Sequence, residues 1–195
     1  MTQIKYIGLD LETTGLHPDD GAAIVELGMI AFDDTLTEAD HFTSLVYSGK
    51  AAFHRVNDMA DVVDTMHTET GLWDELDEYV ATYGVADLIP DTVEAHALAW
   101  IDSLDMPAGH RPMMVGNSIT FDRDFLHVEM PKLLARFSHR SLDATSVVEA
   151  AALAGADPAK IREHAAGDGT KHRALDDLRA AQRQITAALA AIRDA

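Results

Sequence analysis

Residues 4–32 read IKYIGLDLETTGLHPDDGAAIVELGMIAF, two apolar runs separated by a polar turn. Ile4 to Leu11 is dense in large and branched apolar side chains, the pattern of a buried strand. Ala22 to Phe32 is a second run of the same kind. Gly, Pro and Asp within Gly15–Gly21 mark the turn between them, and Asp33–Asp34 marks the next one. Phe42 to Tyr47 reads as a third strand. Three strands this close together predict an antiparallel meander at the start of the chain.

Further along, the apolar spacing changes from that of strands to that of helices. Leu72, Leu76, Tyr79, Val80 and Tyr83 form one stripe that stops at Gly84. Asp91, with Glu94 three residues later, predicts a capped helix start, and Val93, Ala97, Trp100, Ile101 and Leu104 give that helix a buried face. Met113–Gly116 reads as a short strand, 119–137 as helical with a break at Pro131, Ser141–Asp143 as a strand and Thr145–Ala154 as a helix. Gly167 and Gly169 bracket a loop. Ala174–Ile192 is the terminal helix, with Leu175, Leu178, Ile185, Leu189 and Ile192 expected to face inward. There is no internal repeat. Strands first, then helices with strands returning between them, predict one α/β domain over residues 1–195, with a mixed central sheet flanked by helices.

A chain of 195 residues can bury a substantial core as one domain. It has no long apolar run to span a membrane, and its start lacks the basic, apolar and cleavage regions of a signal peptide. A cytoplasmic setting is the expectation. The absence of cysteine excludes disulfides, thiolate catalysis and cysteine-ligated zinc. The net charge is −18, from 33 acidic residues against 15 Lys and Arg. That balance opposes binding of a long polyanion, which needs basic groups to displace counterions. It is compatible with a short ligand, or with bound cations that supply positive charge locally. It is equally compatible with a surface that serves solubility, or with genome composition or salt adaptation.

Three segments carry candidate chemistry. Asp10-Leu11-Glu12-Thr13-Thr14-Gly15 ends the first strand, and alternation puts Asp10 and Glu12 on one face with Leu9 and Leu11 on the other. Two carboxylates there repel unless a cation lies between them, and oxygen donors suit Mg²⁺ or Mn²⁺. Taken alone, the pair is equally a solvated strand end. Gly116-Asn117-Ser118-Ile119-Thr120-Phe121-Asp122 runs from a strand into a helix, with Asp122 about one turn inside and Phe121, Phe125 and Val128 able to pack beside it. An acid beside an apolar stripe is usually a boundary residue. His172-Arg173-Ala174-Leu175-Asp176-Asp177 opens the terminal helix, where acids also serve the helix dipole. The dipole does not explain a histidine five residues before Asp177.

The ordered combination, Asp-x-Glu on a strand, Asp in a helix, then His-x-x-x-x-Asp at a helix start, resembles the DEDDh 3′→5′ exonucleases, which have an RNase H-like fold. Finer motifs resemble the oligoribonuclease branch: Asp10 to Leu16, Gly116 to Ile119, His67-Thr68-x-x-Gly71-Leu72, Arg140-Ser141-Leu142-Asp143 and His172 to Asp177. That resemblance implies a metal-dependent enzyme releasing nucleoside 5′-monophosphates from short single-stranded RNA or DNA. It implies two divalent ions, Mg²⁺ or Mn²⁺, held by Asp10, Glu12, Asp122 and Asp177, with His172 as general base. It implies further that Leu16 wedges between bases, that His67, Ser118, Arg140 and Thr145 surround the terminal phosphate, and that the protein is a homodimer.

Two positions depart from the family pattern. His139 stands where the family has a tyrosine reaching across a dimer to substrate, and Val62 where it has an aromatic residue. Both changes weaken base stacking and leave the substrate range open. A histidine on a surface loop is the plain alternative for His67. A DNA-directed proofreading or trimming exonuclease would share all five acidic and histidine positions. A non-catalytic nucleic-acid-binding module would be expected to have lost them.

Overall fold

In the computed structural model, described over residues 3–49, 61–165 and 172–194, the meander is present. Strands β1 (Tyr6–Thr13), β2 (Ile24–Phe32) and β3 (Glu38–Leu45) pair antiparallel. Strands β4 (Met113–Gly116) and β5 (Ser141–Asp143) then add in parallel, giving the order β3-β2-β1-β4-β5. Every residue of β2 is buried, because helices cover both faces of the sheet. The predicted third strand, Phe42 to Tyr47, begins earlier, at Glu38. Glu38 to His41 are exposed on an edge strand, so the backbone ladder to β2 defines them and hydrophobic patterning cannot.

On one face, Ile7, Leu9 and Leu11 of β1 pack with Leu27 and Met29 of β2 against α3 (Pro90–Ser103) and α4 (Thr120–Glu129). Val93, Ala97, Ile101, Phe125 and Leu126 fill that layer. On the other face, Ile30, Phe32 and Val115 meet Leu178, Ala181 and Ile185 of the terminal helix α8 (Ala174–Asp194). Between these come α1 (Asp61–Glu69), α2 (Leu72–Tyr83), α5 (Pro131–Arg136), α6 (Ala144–Leu153) and α7 (Pro158–Ala165). No helix among the described residues is long and apolar enough to cross a membrane.

Several local expectations shift. Asp91 does not cap α3; the helix begins at Pro90 after Ile89. Glu94 is buried and instead accepts the backbone N–H groups of Lys132 and Leu133, capping α5 from a neighbouring helix. On α8 the inward stripe is Leu178, Ala181, Ile185 and Ala188, while Leu189 and Ile192 are each 37% exposed. Ala181 and Ala188 join that stripe in place of Leu189 and Ile192, and Leu175 packs partly buried against it. Val128 turns outward, and Leu126 is the residue buried beside Phe125. Gly167 and Gly169 lie outside the described residues.

Candidate active site

Register explains where the acids sit. Asp10 lies opposite Gly28, and Glu12 opposite Glu26, all on the α8 face of the sheet. Gly28 is required there by close approach: a Cβ on it would lie 2.7 Å from the Cβ of Ala174 and 3.0 Å from that residue's carbonyl carbon. The first turn of α8 therefore presses directly on the sheet and brings Asp177 over β1. Carboxylate oxygens of Asp10, Glu12 and Asp177 all lie within 4.8 Å of one another.

Asp122 joins them from α4. The β1–β4 ladder ends at Gly8 and Val115, and a little further on the Leu11 N–H donates to Asp122 Oδ1 at 3.1 Å. This bond ties Asp122, from the first turn of α4, to the strand between Asp10 and Glu12. Burial and mutual repulsion raise the affinity of the group for protons. Burial, then Asp122, Glu12 and Asp177, hold the Asp10 carboxyl well above its usual range. Burial, then Asp177 and Glu26, push Glu12 to about 8, with Arg173 acting in the opposite sense. Burial pushes Asp122 to about 8 against its backbone hydrogen bonds. Closely spaced hard oxygen donors whose charge the surroundings oppose fit a divalent cation well. This acidic cluster can bind a metal.

His172 is exposed and has the left-handed backbone conformation, with φ of 61°. Its N–H donates to Asp177 Oδ2 at 3.1 Å. The five-residue spacing therefore closes a hydrogen-bonded ring that holds the histidine beside the cluster. Two further acids take part, Glu26 without any sequence signal and Asp143 from a motif whose structural role the sequence did not show. Glu26 is a buried acid in an apolar run, and it receives the Arg173 guanidinium at 3.0–3.3 Å and the Ala174 N–H at 3.1 Å. Asp143 accepts from Ile119 N–H at 2.9 Å with one oxygen and from Ser146 N–H at 3.1 Å with the other. It thereby joins the turn carrying Ser118 to the start of α6.

The remaining residues divide. Leu16 is 69% exposed on the turn after β1, free to meet a ligand. Ser118, with φ of 57°, and Thr145 lie together, since Thr145 Oγ1 donates to Asn117 Oδ1 at 2.7 Å. Arg140 and His139 are exposed but precede β5, at the opposite end of that strand from Asp143, about 10 Å away along its three residues. Val62 is exposed on α1. His67 is not on a surface loop. It lies in α1, is fully buried, and sits edge-on to Trp73 at 5.0 Å. Its Nε2 donates to the Thr13 carbonyl at 2.9 Å, which fixes the tautomer. Its Nδ1, 3.9 Å from Glu12 Oε2, has no hydrogen-bond partner among the described residues. Burial lowers its affinity for a proton.

Three antiparallel strands extended by two parallel ones, with acids gathered at the end of the central strand, make the RNase H-like arrangement of a nuclease domain. The chain belongs to the exonuclease family RNase_T, whose profile matches residues 7–184. It is 32% identical over 179 residues to an oligoribonuclease of Pseudomonas paraeruginosa, spanning 90% of this chain and 88% of that one. It is 33% identical over 181 residues to an oligoribonuclease of Alcanivorax borkumensis, with 90% and 88% covered. It is 30% identical over 174 residues to one of Corynebacterium diphtheriae, with 89% and 76% covered. The chain is thus a hydrolytic exonuclease by family.

Proposed function

We propose that this protein removes nucleotides from the 3′ end of short single-stranded oligonucleotides, releasing nucleoside 5′-monophosphates in the manner of an oligoribonuclease. The observation that carries this reading is the convergence of Asp10, Glu12 and Asp177 from β1 and α8 on one acidic cluster, with Asp122 of α4 bonded to the strand between the first two. Two divalent ions, Mg²⁺ or Mn²⁺, held by these four carboxylates would supply Lewis-acid stabilisation at the scissile phosphate and lower the pKa of the attacking water.

The chain's own residues do the rest. Asp122 and Asp177 anchor to the backbone at Leu11 and His172, so the donor oxygens are set before substrate arrives. The exposed imidazole of His172 accepts the proton of the attacking water. Leu16 meets the base, while Ser118 and Thr145 bind the far phosphate. Arg140 starts about 10 Å from Asp143, at the other end of β5, and would have to extend its guanidinium along the strand to meet that phosphate, with His139 beside it. His67, fully buried, takes no direct part in binding and acts by holding the end of β1 through the Thr13 carbonyl. A net charge of −18 favours a short substrate over a long polyanion.

A substrate-length series on labelled RNA and DNA, with Mg²⁺ or Mn²⁺, tests this reading. The expected result is kcat/KM highest for two to four nucleotides of RNA, with 5′-monophosphate products. Equal rates on long single-stranded DNA would favour a trimming or proofreading exonuclease. No metal-dependent hydrolysis of any substrate would favour a binding module.

A further inference from the structure

Helix α8 must begin in one place if His172 and Asp177 are to sit over β1. The first-turn N–H groups of a helix need outside acceptors, and the residue before Ala174 is an arginine, which has none. The acceptor comes from the sheet. Glu26 Oε2 receives the Ala174 N–H at 3.1 Å. The same carboxylate takes the Arg173 fork, Nη2 to Oε1 at 3.0 Å and Nε to Oε2 at 3.2 Å. Arg173 Nη2 also reaches Glu75 Oε2 on α2 at 2.7 Å. Gly28, two residues along β2, leaves the space into which Ala174 fits.

We propose that Glu26 and Arg173 form a latch that positions His172 for catalysis, a reading that rests on the proposed role of His172 as base. The left-handed conformation at His172 is one that residues with a Cβ avoid, so neighbours must hold it. On one side the Asp177 carboxylate binds the His172 N–H. On the other, Arg173 and Ala174 are fastened to β2 through a single buried carboxylate. The fork constrains direction as well as distance, because a planar guanidinium meets a carboxylate through two parallel bonds. Arg173 is a positioning residue; its Nε and Nη2 are engaged by Glu26 and Glu75.

The test is a double-mutant cycle on a dinucleotide, using wild type, Arg173→Ala, His172→Ala and the double variant, assayed well below every Tm. Arg173→Ala is expected to lower kcat by about 10²-fold, as roughly 1 Å of misplacement does, with KM changed less than about threefold. In the His172→Ala background the same change is expected to cost less than about threefold, because its effect passes through the imidazole. Arg173→Lys recovers little, since an ammonium cannot fork. Amide exchange at Ala174 in the metal-free protein should quicken in Arg173→Ala. Should Arg173→Ala fail to fold, Glu26→Gln, which keeps the shape and an acceptor, serves in the same cycle. A lowered Tm with wild-type kcat in either variant overturns the latch. So do losses that multiply with that of His172→Ala. Full activity of His172→Ala overturns the base assignment, and the latch with it. A His172→Ala variant that is strongly slowed but measurable, with losses that multiply, overturns the latch alone.

Discussion

Substituting Gly28 by alanine adds one methyl group at the point where α8 touches the sheet. The new Cβ would lie 2.7 Å from Ala174 Cβ, 3.0 Å from its carbonyl carbon and 3.1 Å from Leu175 N. Ordinary carbon contacts are about 3.5–4.0 Å, so the helix start must lift by roughly 1 Å. Two of the three contacts are backbone atoms, so no side-chain rotation relieves them. Overpacking of this kind costs about 1–3 kcal/mol, which for a chain of this size lowers Tm by about 2–12 °C. The lift also carries Asp177 and His172 away from Asp10 and Glu12. Displacement of about 1 Å at reacting groups costs on the order of 10²-fold in rate. Gly8→Ala is the control, because its nearest contacts are the side chains of Phe32 at 2.9 Å and Leu178 at 3.2 Å, which can rotate. Thermal melting and kcat on a dinucleotide should show Gly28→Ala impaired in both, and Gly8→Ala impaired mainly in stability. Wild-type kcat and Tm in Gly28→Ala would refute the close docking of α8 and the account of how Asp177 reaches the cluster.

Asp10→Ala should abolish metal-dependent hydrolysis while leaving or raising the metal-free Tm, because it removes repulsion as well as a donor; turnover and melting measured together check this. The folded-state pKa values of Glu12 and Asp122, about 8, lie above their ordinary carboxylate values, so the folded state binds more protons than the unfolded one between about pH 4.5 and 8. Stability of the metal-free protein from these groups is therefore greatest at acid pH and falls as pH rises toward 8, and melting from pH 5 to 9 with and without Mn²⁺ should show the metal stabilising most at the alkaline end. For the same reason, binding of Mn²⁺ at pH 7 should release protons, visible as a heat that depends on the buffer's ionisation enthalpy. Arg140→Ala should lower kcat/KM more for dinucleotides than for long single strands; an equal loss at all lengths would remove Arg140 from the terminal phosphate site.

What the sequence made legible follows burial. β1 and β2 are buried along nearly their whole length, and the apolar runs within them were enough to place both strands. The edge strand β3 shows exposed residues along most of its length, so only Phe42 and Leu45 betrayed it. Helices α1 and α7 went unrecognised for a similar reason. α1 buries His67, a polar residue, and α7 has a single large apolar core contributor in Ile161. Periodicity of apolar side chains cannot report a helix held by so few of them.

The acids of the site were legible because alternation and helical spacing fix which residues share a face. Glu26 was not, and Arg173 and Asp143 stood in recognised motifs without their roles being visible, because those roles arise from cross-strand register and from where one helix lands on a sheet. The same register shows how the fold tolerates the cluster. Asp10 and Glu12 are pushed toward protonation by burial and by each other. Leu9 and Leu11, on the opposite face of the same strand, are buried in the main core. Burying a leucine side chain contributes about 1.5–3 kcal/mol, which opposes the repulsion across the strand. The acids are thus carried by a strand whose opposite side is apolar from Ile7 to Leu11. A polar residue at Leu9 or Leu11 would loosen the acids without touching them.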